Sequence, residues 1–296
     1  MRAATVASES VRIDRELGIR ESVYFFDSGP NRLFACRHAP LGEPGAAAVL
    51  CPSVYADFTL SYRRQVALAR SLAARGVIVQ RFHYRGSGNS DGDGAESTYD
   101  ALVEDADAAI ALLDEHTRAL PIVLVGMGWG ALVAASASRR LDGPSLALWE
   151  PVSDVRRYYR EAVRARMIRH VLEPKGRPAS AKQLLDDLTT DGSIDVVGYL
   201  VHRALYETAL DRTLAGELAE TSARILVIKP DGRDALGTDY ERLEASLSPP
   251  AQAVASTTVG KPTPIWFHGP HVRLSDDVAS EVACRIHSWL IAALKT

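Results

Sequence analysis

Residues 123–135, "VLVGMGWGALVAA", constrain the fold more than any other stretch of this chain. Apolar residues suited to a strand run into Gly126, Gly128 and Gly130, and an alanine-rich stretch suited to a helix follows. Glycines at alternate positions between a strand and a helix give the outline of a G-x-S-x-G elbow, a sharp turn that lifts its central side chain above a sheet. Here the central position is Gly128, which has no side chain to lift. Glycine removes the strain, on the order of 1–3 kcal/mol, that another residue would bear at such a turn. It also removes any covalent chemistry through that position.

The flanking sequence predicts strands alternating with helices. "SVYFFDS" (22–28) and "RLFACRH" (32–38) flank "GPN" and read as an antiparallel hairpin. "AAAVLC" (46–51) is a buried strand leading to a loop, and "YRRQVALARSLAARG" (62–76) is a helix closed by glycine. A strand at 77–82 leaves through the turn "RGSGNSDG", and a helix follows over 97–116. Further strands are expected at 145–152, 223–231 and 263–271, with a closing helix over 276–294. This order predicts an α/β fold with a mostly parallel central sheet flanked by helices and an antiparallel edge. Residues 1–152 and 223–296 form the expected core. Residues 153–222 are too long for an ordinary connection and read as an inserted helical cap.

Composition excludes several function classes. With 47% hydrophobic and 24% charged residues and a formal net charge of -3, the 296-residue chain can build a full core but offers no overall basic field for nucleic acid or membranes. Apolar runs fall short of the roughly 20 residues that span a bilayer. The first residues lack the apolar segment of a secretory signal. Cys36, Cys51 and Cys284 are few and scattered, as in a reducing compartment, so a cytoplasmic location is expected. Neither a metal-ligand spacing nor a cofactor fingerprint is present, and "RGSGNSDG" lacks the Lys-Ser/Thr ending of a phosphate loop. A homodimer is left open.

The hairpin, the "FHYRGSGNSDG" turn, the "GMGWG" elbow, the long insert and the late histidine together resemble the α/β-hydrolase superfamily over nearly the whole chain from about residue 20. "LALWEPVSDVRRYYREAVR" is similar to the start of the cap in a serine-aminopeptidase-like bacterial group that includes hydrolase-like proteins of exosortase systems. The resemblance implies roles position by position. Gly128 stands at the nucleophile position. Asp231 or Asp234 falls at the acid position and His271 at the histidine position, with His268 nearby. The backbone N–H of Ser53 or Val54, and that of Trp129, would stabilise an oxyanion. Tyr55, Phe58, Met127, Trp129, Tyr158 and His268 are expected around the pocket.

Each assignment has a plainer alternative. His268 and His271 could be surface loop histidines, and Asp231 and Asp234 lie in a turn-forming "PDGRD" string. His83 reads as a satisfied histidine at a strand end. The arginines between Arg156 and Arg169 read first as a solvated face and second as a contact for an acidic ligand group.

An anion-stabilising turn without a nucleophile suits enolate chemistry, in which a base removes a proton from carbon beside a carbonyl. One atypical branch of the superfamily, the peptide epimerases of bottromycin-type biosynthesis, lacks the serine and acts on a macrocyclic peptide. The resemblance implies an epimerase or isomerase acting at a Cα of a bulky modified peptide, without a cofactor, where a carboxylate on the substrate can itself serve as base. Two alternatives remain. One is a ligand-binding pseudoenzyme. The other is an esterase- or thioesterase-like hydrolase whose nucleophile has moved to Ser53 or Cys51.

Overall fold

The computed structural model describes residues 7–139, 141, 145–172, 180–219, 221, 223–230, 243, 254–259 and 276–293. Its sheet has nine strands among the described residues, in the spatial order 7–14, 19–28, 31–40, 77–82, 46–51, 122–127, 145–149, 224–230 and 254–259. The first three strands, β1 (Ala7–Asp14), β2 (Ile19–Ser28) and β3 (Asn31–Pro40), pair antiparallel. β3 joins antiparallel to β5 (Val77–Phe82), and every pairing beyond it is parallel. These strands are β4 (Ala46–Cys51), β6 (Ile122–Met127), β7 (Ser145–Trp149), β10 (Arg224–Pro230) and β11 (Val254–Val259). β4 and β5 are buried along their whole length; β4 is accordingly a continuous apolar run, whereas β5 also buries Gln80 and Arg81.

One face carries α1 (Tyr55–Ala73) and the closing helix α9 (Asp276–Ala293), which packs Ala279, Val282 and Ile286 with Leu68 and Leu72. The other face carries α2 (Tyr99–Ala111) and α4 (Gly130–Ser138), where Leu102 and Ala106 meet Leu132 and Ala135. The short α3 (Glu115–Arg118) leads into β6. α4 is buried on every side, so it has no polar stripe, as its alanine-rich sequence requires. Among the described residues, no helix is long and apolar enough to cross a membrane.

Between β7 and β10 lie α5 (Val155–Leu172), α6 (Ala181–Asp191), β8 (Ser193–Val196), β9 (Tyr199–His202), α7 (Arg203–Ala209) and α8 (Leu214–Leu218). The insert is therefore not wholly helical as expected. β8 and β9 form a hairpin through Val197 and Gly198, at φ +57° and +89°, the pair of positive values that a two-residue turn between twisted strands demands. The two ends of the insert meet in a short bridge between Asp154 and Thr213, beside Leu214 N–H to Ser153 O at 2.9 Å.

Two other expectations are corrected, and a third lies outside the described residues. α1 begins at Tyr55, directly after the loop, rather than at residue 62. The helix expected over 97–116 stops at Ala111, and α3 forms separately. The last strand described is β11 at Val254–Val259, whereas 263–271 lies outside the described residues.

Candidate functional site

The sheet reverses its strand order around β4, with β5 on one side and β6 on the other. Ligand sites in open α/β sheets form at such a point, beyond the carboxyl ends of the strands. Cys51 pairs with Gly126 here, so the loop after β4 and the turn after β6 lie side by side.

The turn has the full geometry of an elbow. Gly128 has φ +55°, and its N–H donates to Trp149 O at 3.0 Å. A Cβ on Gly126 would run into the Ala131 backbone, and one on Gly130 into the carbonyls of Cys51 and Pro52. These two glycines are therefore packing requirements of the turn. Gly128 differs, because a Cβ there would come within 2.9 Å of the Ser53 hydroxyl oxygen. That Ser53 oxygen also accepts the Trp129 backbone N–H at 3.1 Å. The N–H expected to stabilise an oxyanion is thus held by a serine hydroxyl from the neighbouring loop. That hydroxyl occupies the space into which a side chain at residue 128 would project.

Behind Ser53 is a buried polar cluster. Asp57, in the first turn of α1, is 6% exposed, and its Oδ1 has no hydrogen-bond partner among the described residues. Burial pushes its carboxyl up to about 7. The Tyr158 hydroxyl, the Arg64 guanidinium and the Ser53 hydroxyl oppose that rise, while the Glu150 carboxylate adds to it. Arg64 is buried, lies over the Trp149 ring at 5.0 Å, and places Nη1 3.4 Å from both Glu150 carboxylate oxygens. Glu150 holds φ +48° just beyond β7, and Tyr55 holds φ +53° at the start of α1. Two strained residues other than glycine thus flank the same strand ends.

A cleft of about 280 Å³ opens beside the loop after β4. Val54, Tyr55 and Phe58 line one wall, and Ser87 belongs to the "RGSGNSDG" turn. Tyr199 and His202, from the hairpin of the insert, line the opposite side. The Tyr55 hydroxyl lies 3.4 Å from that of Tyr159 on α5, and burial pushes Tyr55 up to about 12.

Several residues expected around the pocket lie elsewhere. Met127 packs in the core layer of α1 and α9. Trp129 is fully buried against Tyr99, with ring centroids 5.7 Å apart. Tyr158 is buried beneath α5, on Asp57. Long aromatic and thioether side chains next to a turn fill whichever core is closest, and sequence position does not decide which. Asp231, Asp234, His268 and His271 lie outside the described residues. Cys51 is wholly buried, and burial pushes its thiol up to about 12, which removes the thiolate a displaced nucleophile would need. His83 packs against Phe34 and Phe58, accepts the Asn89 N–H at 3.1 Å, and is pushed down by burial to about 4. It is a neutral packing residue at neutral pH. Of the basic residues on α5, Arg157 pairs with Glu161, Arg156 with Asp211 and Arg166 with the Asp195 carbonyl, all within the insert.

Asp57, Arg64, Glu150, Tyr199 and His202 were not among the residues the sequence singled out. Asp57 and Arg64 carried a usable signal. They lie seven residues apart and so share one helix face, and an Asp and an Arg on the buried face of a helix that follows a buried strand need a partner.

The profile of the serine aminopeptidase S33 family matches residues 58–208, from α1 through the elbow into α7 and just over half of the chain. No curated protein sequence matches significantly. Among solved structures, Est1E from Butyrivibrio proteoclasticus with ferulic acid bound is 14% identical with a TM-score of 0.61, over 90% of this chain and 99% of that one. The proline iminopeptidase of Mycobacterium smegmatis is 16% identical with a TM-score of 0.58, over 92% and 99%. An esterase domain of a Rhodothermus marinus protein is 17% identical with a TM-score of 0.58, over 91% and 97%. At these identities the likeness is one of fold.

Proposed function

This chain belongs to the serine aminopeptidase S33 family and has the α/β-hydrolase fold, and from that premise we propose that it is an enzyme working without an elbow nucleophile. The reaction is proton transfer at a carbon beside a carbonyl. It epimerises or isomerises a Cα of a bulky, modified, macrocyclic peptide, in the cytoplasm and without a cofactor. The insert over 153–222 acts as the cap of the site, and its hairpin supplies Tyr199 and His202 to the cleft. The observation that carries this reading is the exchange at the elbow: Gly128 presents nothing, and the Ser53 hydroxyl takes the space and bonds the Trp129 N–H. A hydroxyl held by an amide, beside a carboxyl poised near neutrality, suits passing a proton. Incubation with a macrocyclic peptide substrate in deuterium oxide should place one deuteron at one Cα of the product, read by mass spectrometry. Product formed without deuterium excludes the reading.

A second reading has one specific observation in its favour. The Ser53 oxygen lies so close to the elbow seat that it could act as a displaced nucleophile in an esterase- or thioesterase-like hydrolase. A fluorophosphonate probe separates the two. A stoichiometric adduct mapping to Ser53 selects hydrolysis, and an unchanged intact mass selects proton transfer.

A further inference from the structure

Tyr55 and Phe58 line the cleft, but the Asp57 side chain between them is directed to the elbow side, among Ser53, Arg64, Glu150 and Tyr158. It is more than nine-tenths buried and leaves Oδ1 without a partner among the described residues. A fold does not gain from a buried carboxyl oxygen left unpaired, and such groups concentrate where protons are exchanged. Ser53 joins this carboxyl to the elbow. Its oxygen is 2.9 Å from the point where a Cβ of residue 128 would stand and accepts the Trp129 N–H, which leaves its own proton for donation toward Asp57.

We propose that Asp57 is the proton-accepting group of this site and that the Ser53 hydroxyl relays a proton to it from a carbon acid lying over Gly128. The proposal rests on the proton-transfer reading above. As the ligand C–H bond breaks, its electron pair stays on the ligand as an enolate. The Ser53 oxygen takes the proton while handing its own to the Asp57 carboxylate. Solvent then protonates the carbon and Asp57 releases its proton to water, so the protein ends in its starting state. Arg64 from α1, Glu150 from beyond β7, Tyr158 from α5 and the Ser53 loop all face the carboxyl and together set the pH at which it accepts.

The test needs no native substrate. In 5-nitrobenzisoxazole, removal of the ring C–H proton by a base breaks the N–O bond and releases a coloured phenolate, with no other reactant. The purified full chain should turn it over with a rate that rises through a midpoint near pH 7, as the poise of Asp57 requires. Asp57→Asn should lower the rate by about 100-fold, and Ser53→Ala should lower it and move the midpoint upward, because the Ser53 hydroxyl opposes the rise of the Asp57 carboxyl. A rate no greater than that of free acetate, or an undiminished rate in Asp57→Asn, overturns the proposal. Unfolding curves establish that the variant is folded. If it is not, a carboxyl infrared band titrating near 7 in the unaltered protein and shifted in Asp57→Glu decides the matter, and no such band overturns the proposal. Turnover of the probe without deuterium entering a peptide would refute the peptide epimerase and leave Asp57 as the base. Deuterium exchange without probe turnover would do the reverse.

Discussion

Two carboxylates are buried near the two ends of α4, and they are treated in opposite ways. Glu217, on α8 of the insert, is 4% exposed and meets the Ser136 hydroxyl, Arg139 at 2.8 Å and Arg212 at 2.9 Å. Arg212 also lies over the Tyr99 ring at 4.5 Å, and the Tyr99 hydroxyl bonds Ser136 at 2.7 Å and Leu132 O at 3.0 Å. Asp57, at the other end, is buried to a similar degree but faces hydroxyls and a guanidinium shared with Glu150, and keeps one oxygen unpaired among the described residues. A fully paired buried charge locks one arrangement and fixes the insert to the elbow helix. An under-paired one titrates near neutrality instead. Burial alone does not mark a functional carboxylate; what matters is how many donors meet it.

The comparison can be broken most severely at Glu217. Glu217→Ala leaves two arginines without their shared partner and should cost about 3–5 kcal/mol, measured by urea unfolding. A loss below about 1 kcal/mol would mean that the network does not lock the insert.

At Asp57 the sign is the reverse. The group accepts a proton at about 7 when folded and near its ordinary 3.8 when unfolded, so between those values the folded state holds the extra proton. Stability from this group therefore falls as pH rises through that window, by roughly 1.4 kcal/mol per pH unit. Asp57→Asn should flatten the slope and gain stability at pH 8, as denaturant curves across pH would show. An unchanged slope would mean that Asp57 does not hold the extra proton in the folded state.

The elbow seat gives a smaller effect. Gly128→Ser puts a side chain at positive φ against the Ser53 hydroxyl and should destabilise by about 1–3 kcal/mol. Combining it with Ser53→Gly should recover part of that loss, with a coupling of at least about 0.5 kcal/mol in a double-mutant cycle. Strict additivity would mean that the two groups do not share one space. The smallest effect is expected on the outer face of α5. Arg157→Ala removes an exposed pair with Glu161 and should change the melting temperature little, for about 0.3–0.5 kcal/mol.

Sequence by itself determined the layered α/β architecture, because strands covered on both faces read as near-continuous apolar runs, as "AAAVLC" and "IVLVGM" do. It also determined the elbow, since only glycine at 126 and 130 lets the turn pack against its neighbours, and it showed that residue 128 brings no nucleophile. The β8–β9 hairpin was less legible, because "DVVGYLVH" carries a helix-like apolar spacing and its turn is revealed only by two positive φ values. The roles of Ser53 and Asp57 were further out of reach, although the loop position of Ser53 and the buried helix face of Asp57 were legible. Both stand in a loop-to-helix junction whose residues are ordinary in type, and their meaning comes from what the fold sets opposite them. Ser53 faces Gly128 from 75 residues away along the chain, and Asp57 faces Glu150 and Tyr158 from more than 90. Local patterns report which face of an element is buried. Whether a buried polar group finds enough donors depends on distant segments arriving at the same point, and only the tertiary structure decides that.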